Sequence, residues 1–211
     1  LTSRIAHILK ENKAFPNEVL SVTFTNKAAR EMQNRVSKIL ENNEVGLPWL
    51  GTFHSICAKI LRRHAKAVNL KENFTIIDQD DQSRLIKSIC NAENIDIKKI
   101  SPNFIISLIN KWKNLGWYPE NVMLKKSDTL EKNLLKIYKI YQTKLIDLNA
   151  CDFGDLILHC VSIFEKNQDI NEMYSKNFKY ILVDEYQDTN FIQSKWLKLL
   201  TKNHDNICCV G

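Results

Sequence analysis

The stretch Lys179–Asn190, KYILVDEYQDTN, sets two carboxylates side by side, Asp184 and Glu185, directly after the apolar run Tyr180-Ile181-Leu182-Val183. Adjacent carboxylates repel, and burying either one without a partner is costly, so the pair calls for a compensating cation or proton. At the end of a strand such a pair suits a magnesium-nucleotide site. Asp184 would hold Mg²⁺ directly or through water, and Glu185 would position or deprotonate the water that attacks a γ-phosphate. The plain alternative is a strand-end acid that caps the next helix or meets solvent.

The elements around the pair have to place it. Val19–Phe24 (VLSVTF), Trp49–Thr52, Tyr180–Val183 and Ile207–Val210 read as short strands, apolar without alternation, and the first three are each followed by helical periodicity. That pattern predicts a parallel sheet covered on both faces, with ligands beyond the carboxyl ends of its strands. Helices are expected over Thr2–Lys10, over Lys27–Leu40 capped by Thr25 or Asn26, through Ile56, Ile60 and Leu61 capped by Ser55, and over Asn190–Thr201. Between Asp78 and Asn177 the periodicity is helical with almost no strand signal: Asp81–Ala92, a helix opened by Ser101-Pro102, Leu130–Leu148 and Asp155–Glu165. The expected organisation is an α/β domain over residues 1–77 and 178–211, with an inserted all-helical subdomain over 78–177.

Composition narrows the class. The 211 residues are 44% hydrophobic and carry a net charge of +6, enough for a sizeable core and compatible with a polyanionic partner. No run of 18 uncharged apolar residues occurs and Leu1–Lys13 lacks the features of a secretory signal, so no membrane partner and a cytoplasmic location are the expectation. Cys57, Cys90, Cys151, Cys160, Cys208 and Cys209 form no CxxC pair and are expected as reduced thiols, mostly buried. From Thr52 to Lys71 there is no acid, and Lys59, Arg62, Arg63 and Lys66 gather along one side of a helix, to face a phosphate backbone or solvent. Lys111–Lys144 is a second basic region, eight lysines interleaved with Trp112, Trp117, Tyr118, Tyr138 and Tyr141.

Read whole, VDEYQDTN resembles the Walker B motif of superfamily 1A DNA helicases of the UvrD/PcrA/Rep type. Thr23–Met32 (TFTNKAAREM) resembles their motif Ia, Gly51–Ser55 (GTFHS) their motif Ib, and Cys151–Ile157 (CDFGDLI) their DFxDL element, with Gly154 where an acid is common. The resemblance implies a RecA-like sheet flanked by helices, ATP and Mg²⁺ as cofactors, and single-stranded DNA with its duplex junction as partner. It gives Asp184 and Glu185 the magnesium and water-activating roles, and Gln187 and Asp188 a coupling role. Phe24, Thr25, Asn26 and Lys27, with Thr52, Phe53 and His54 one strand over, then fall where the family contacts single-stranded DNA, and Arg62 and Arg63 extend that surface. The chemistry agrees: a ring at a strand end can stack on a base, while a hydroxyl, an amide and the N–H groups of a helix start suit phosphates. On the residues alone, Phe24 is equally a core ring, Thr25-Asn26 a simple cap and His54 a structural histidine.

The resemblance also implies what this sequence does not contain. No GxxxxGK[ST] string occurs, the expected phosphate loop would stand before Leu1 and motif III after Gly211, so the chain is expected to be a fragment, inactive alone, of a helicase that moves 3′ to 5′ in DNA repair or replication restart. A split-gene product that holds single strands without turnover, and the motor part of a RecB-like helicase-nuclease, are the alternatives.

Overall fold

The computed structural model describes residues 1–41, 46–95, 100–123 and 129–211. By contact the chain forms two units, Leu1–Ile60 with Cys160–Gly211, and Leu61–His159.

The first unit is built on a four-stranded, all-parallel sheet in the order β2-β1-β5-β6: β1 Val19–Thr23, β2 Leu50–Thr52, β5 Tyr180–Val183 and β6 Ile207–Cys209. All five residues of β1 are buried, which is why its sequence shows no alternation. The long excursion between β2 and β5 returns the chain to the middle of the sheet, so β5 pairs with β1 from Val19↔Tyr180 to Val22↔Val183. Helices α1 (Thr2–Lys10) and α2 (Asn26–Ile39) close one core, in which Ile5, Ile8, Val19, Met32, Val36 and Leu182 are buried together. Elsewhere in the unit the aromatic rings of Trp49, Phe164, Tyr174 and Phe178 meet edge-on or tilted at 5.2–5.9 Å.

The second unit is mainly helical: α4 (Gln79–Ala92), α5 (Pro102–Asn114) and α6 (Thr129–Asp147) enclose Ile86, Ile89, Ile105, Ile109, Leu134, Ile137, Tyr138 and Tyr141. Trp112 stacks on Tyr138 with ring centroids 5.6 Å apart. Side-chain caps open two of these helices, the one at Ser101 as expected and the one at Asp78 two residues ahead of the expected start at Asp81. Asp78 accepts from Asp81 N at the start of α4, and Ser101 from Phe104 N at the start of α5 with Pro102 in the first helical position; such caps are worth about 1 kcal/mol each.

Four features differ from the sequence reading. A two-stranded parallel ladder, β3 (Thr75–Ile76) with β4 (Ala150–Cys151), lies in the second unit, its strands too short to leave a periodic signal. Helix α3 (Phe53–Arg63) begins three residues early because Thr52, not Ser55, caps it, with Thr52 Oγ1 accepting from Ser55 N at 3.2 Å. Helix α8 (Gln168–Asn177) was not expected, since two of its three buried residues, Asn171 and Ser175, are polar and only Tyr174 is not. The units divide inside α3 and inside α7 (Phe153–Lys166), not at residues 78 and 177, because both helices run on without a break in composition. Helix α9 (Phe191–Leu200) completes the count of described α-helices and is opened by the reciprocal Asn190–Gln193 box.

Candidate functional site

Parallel pairing sets the carboxyl ends of the strands at one edge of the sheet. Val22 lies between Gly51 and Val183, and Thr23 pairs with Thr52. The next step of β5 is fixed to β1 as well, because Asp184 N donates to Val22 O at 3.0 Å. Asp184 therefore leaves the sheet beside Thr23, half-buried, and its carboxylate receives no hydrogen bond from the described residues.

At Glu185 the chain turns sharply with φ 52° and ψ 46°. The other described non-glycine residues with positive φ, Asn12, Glu41, Asn69, Asn94 and Asn149, all follow helical segments, where a left-handed residue is the ordinary stop. Glu185 alone follows a strand, at a steric cost of about 1–2 kcal/mol. The turn is held from behind: Tyr186 N donates to Val210 O and Val210 N to Val183 O, both at 2.9 Å. Gln187 Nε2 donates to Glu185 Oε2 at 2.5 Å. Gln187 and Asp188 sit exposed in the 3-10 turn Tyr186–Asp188, whose end is tied by Thr189 Oγ1 donating to Tyr186 O at 2.8 Å.

At the end of β1, Thr25 caps α2 by accepting from Ala28 N at 3.1 Å, and Thr23 Oγ1 donates to Thr25 O at 3.1 Å. Thr25, Asn26 and Lys27 are exposed and Phe24 is half-buried. One strand over, Gly51 is required by close approach, since a Cβ there would lie 2.5 Å from Ser55 Oγ. Phe53 is only 1% exposed: its ring meets Phe24 at 5.6 Å and Trp196 at 5.9 Å, so it backs the Phe24 ring rather than presenting its own face. His54 is half-buried, and burial holds its imidazole pKa below the usual value, in the neutral form at pH 7.

The structure brings Asp184, Glu185 and the segments Thr23–Lys27 and Thr52–His54 together on one edge. Arg62 and Arg63 fall in the other unit. Arg62 donates to Glu72 O at 3.0 Å and Phe74 O at 3.3 Å and lies over the Phe74 ring, ties that fold the segment after α3. Among the aromatic residues of the second basic region, Trp112, Tyr138 and Tyr141 are core; Lys125 and Lys126 lie outside the described residues.

One constellation was not foreseen. In the CDFGDLI stretch, Asp152 and Asp155 are buried and cap each other's backbone, Asp155 N donating to Asp152 Oδ1 at 2.9 Å and Asp152 N to Asp155 Oδ2 at 3.1 Å. Lys113, with no exposed surface, bridges them at 2.6 and 2.8 Å. Tyr141 donates to Asp152 at 2.9 Å and Gln142 to Asp155 at 3.0 Å. Burial by itself would raise both carboxyls; the Lys113 ammonium nevertheless brings Asp155 down to about 2, while burial and the charge of Asp155 leave Asp152 raised. The D-x-x-D spacing is a legible capping signal, but Lys113 lies on another helix. The six cysteines are free thiols, and Cys57, Cys90, Cys151 and Cys160 are buried.

The acid pair can be tested for its fit to a metal. No group of three or more His, Cys, Asp or Glu gathers among the described residues, so this chain offers one or two carboxylates at Asp184 and Glu185. That donor set suits Mg²⁺, which keeps several waters and takes its remaining ligands from a bound phosphate. No helix among the described residues is long and apolar enough to cross a membrane.

All 211 residues match the family described as the UvrD/REP helicase N-terminal domain. The chain is 46% identical over 217 residues to the DNA helicase II of Rickettsia typhi, covering 100% of this chain and 32% of that protein. It is 43% identical over 211 residues to the ATP-dependent DNA helicase PcrA of Staphylococcus aureus, covering 100% of this chain and 29% of that protein. It thus spans about a third of the length of these relatives.

Proposed function

Because the chain belongs to the UvrD/REP helicase N-terminal domain family, we propose that it is the first motor domain of an ATP-dependent DNA helicase, which moves along single-stranded DNA and parts the duplex at a junction. The observation that carries this reading is the shared edge of the sheet: the unpartnered Asp184 carboxylate leaves β5 beside Thr23, from which the segment Phe24–Lys27 continues.

When bound, ATP with Mg²⁺ supplies the phosphoryl bond and the cation that balances the acid pair. Asp184, anchored by its backbone to β1, would hold the metal. Glu185, exposed and oriented by Gln187, takes the proton of the attacking water. Gln187 and Asp188 couple this site to the rest of the motor. On the DNA side Phe24 stacks on a base with Phe53 packed behind it, while Thr25, Asn26, Lys27, Thr52 and His54 engage the backbone. A DNA contact at Arg62 and Arg63, which belong to the other unit, rests on the basic stripe of the sequence alone. Movement 3′ to 5′, a role in repair or replication restart, and a cytoplasmic location follow the family resemblance.

The test needs a protein that carries this chain within a complete motor. Asp184→Asn and Glu185→Gln are each expected to lower DNA-stimulated ATP turnover by about 10²–10⁴-fold, the range of a lost proton acceptor or metal ligand, with single-strand affinity changed less than about threefold. Normal turnover in either variant overturns the assignment. The 211-residue chain itself, whose sequence has no GxxxxGK[ST], is expected to bind single strands without hydrolysing ATP.

A further inference from the structure

The last residue of β1, Thr23, has no exposed surface, and its hydroxyl is turned to the chain two residues ahead: Thr23 Oγ1 donates to Thr25 O at 3.1 Å. The helix that follows does not need this bond. Thr25 already caps α2 through its own hydroxyl, which accepts from Ala28 N at 3.1 Å, and its carbonyl already takes the first helical bond, from Ala29 N at 3.0 Å. The threonine that ends β2, Thr52, does use its hydroxyl as a cap, accepting from Ser55 N. At position 23 a valine, of nearly the same shape and equally suited to a strand, would leave no buried hydroxyl to satisfy.

The bond closes a small ring around Phe24. Upstream, Thr23 is fixed by the sheet, where it pairs with Thr52; downstream, Thr25 O is fixed by the first turn of α2. Holding both peptide units that flank Phe24 sets the direction in which its side chain leaves the backbone. The Phe24 ring is half-buried, with Phe53 packed against it at a centroid distance of 5.6 Å and an interplanar angle of 60°. A ring fixed before its partner arrives does not have to be ordered on binding.

We propose that Thr23 is a positioning residue for single-strand binding: its hydroxyl latches the link from β1 to α2 so that the Phe24 ring is already set to receive a base. The latch rests on the reading of Phe24 as the stacking ring, and Thr23 itself touches no nucleotide. Because Thr25 keeps its two bonds to α2 when the latch is gone, removing the Thr23 hydroxyl loosens Phe24 without unwinding the helix.

Anisotropy of a fluorescein-labelled oligothymidylate, titrated with the 211-residue chain at fixed salt, compares the wild type with Thr23→Val, Thr23→Ala and Thr23→Ser, and urea melts on the same samples give their stabilities. A latch orders the affinities by the hydroxyl: Thr23→Ser binds within about twofold of the wild type, while Thr23→Val and Thr23→Ala bind about three- to tenfold more weakly, the worth of one neutral hydrogen bond. Packing alone gives the opposite order, since valine keeps the buried methyl that serine gives up. Phe24→Ala and Thr23→Val/Phe24→Ala complete a cycle: with the latch acting through the ring, the double variant binds no more weakly than Phe24→Ala. Wild-type affinity in Thr23→Val, a loss in Thr23→Ser equal to that in Thr23→Val, or full additivity in the cycle overturns the proposal and leaves the reading of Phe24 intact. Wild-type affinity in Phe24→Ala refutes that reading, and the latch falls with it.

Discussion

Replacing Lys113 by methionine removes one charge and keeps most of the side-chain volume, so it isolates what the ammonium does. In the native chain one cation and two carboxylates are buried together, a net charge of −1 softened by Tyr141, Gln142 and two backbone amides. In Lys113→Met two carboxylates remain buried with neutral donors and the His159 ring, 4.0 Å from Asp155, as their partners. Removing one member of a buried pair in this way costs about 3–5 kcal/mol. With a urea slope of about 2–3 kcal/mol per molar, the midpoint for the helical unit falls by about 1.5 M. Hydrogen exchange of amides in α5 and α6, followed by mass spectrometry, reports the unit directly.

The pH dependence separates charge from packing. Asp155 is held at about 2, below its unfolded value, so the stability it contributes is present above pH ~4 and is lost as pH falls toward 2. Without Lys113 both carboxyls are raised by burial and protonate as the pH drops, which removes their repulsion. The deficit of Lys113→Met is therefore expected to be largest near neutrality and to shrink below pH ~5. The triple variant Lys113→Met/Asp152→Asn/Asp155→Asn, which has no buried charge, is expected to recover at least half of it. A deficit under 1 kcal/mol, or one that does not change between pH 7 and pH 4, would falsify the claim that the ammonium compensates the two acids.

Gly154→Ala should destabilise the chain by about 1 kcal/mol, because the new Cβ meets Lys113 Cδ at 2.9 Å inside a buried network, and an overpacking cost of about 1–3 kcal/mol exceeds the helix-propensity gain of about 0.5–1; thermal melts give the sign. Phe24→Ala should weaken single-strand binding about tenfold with little loss of stability, while Phe53→Ala should cost about 3–5 kcal/mol of stability, a contrast read by fluorescence anisotropy and urea melts on the same samples. Glu185→Gly should raise stability by a few tenths to about 1 kcal/mol by relieving the left-handed residue, while abolishing turnover in a complete motor.

The sheet was legible because strands buried on both faces read as unbroken apolar runs: Tyr180–Val183 and the core of VLSVTF are strands as expected. Local cap chemistry was legible too, at Thr25 and Ser101. What long-range packing decides was not. Polar Asn171 and Ser175 face inward on α8 because Asn171 Nδ2 donates to Leu199 O at 3.1 Å and Ser175 Oγ accepts from Asn203, partners that no local pattern announces. Lys113 counted among the lysines of a basic surface, yet it is wholly buried against acids on a distant stretch. Phe53 and Phe24 both read as rings at strand ends, and only the position of Trp196 decides that Phe53 is the inner one.

Two of the chain's close pairs of acids, Asp152 with Asp155 and Asp184 with Glu185, are held in opposite ways, and the contrast between them bears on function more than either does alone. Asp152 and Asp155 are satisfied internally by a lysine, a tyrosine, a glutamine and each other's amides, so they ask nothing of solvent or ligand. Asp184 and Glu185 are placed as carefully, one by a backbone bond to β1 and the other by a left-handed turn, yet among the described residues the pair receives a single side-chain hydrogen bond, from Gln187 to Glu185. The same fold that gives one pair a buried lysine leaves the other without a cation among the described residues, at a steric cost of about 1–2 kcal/mol for its geometry. Strain kept at a site whose charge no described residue compensates agrees with the cation site proposed above, because a site balanced internally would have to lose a partner before it could gain a ligand.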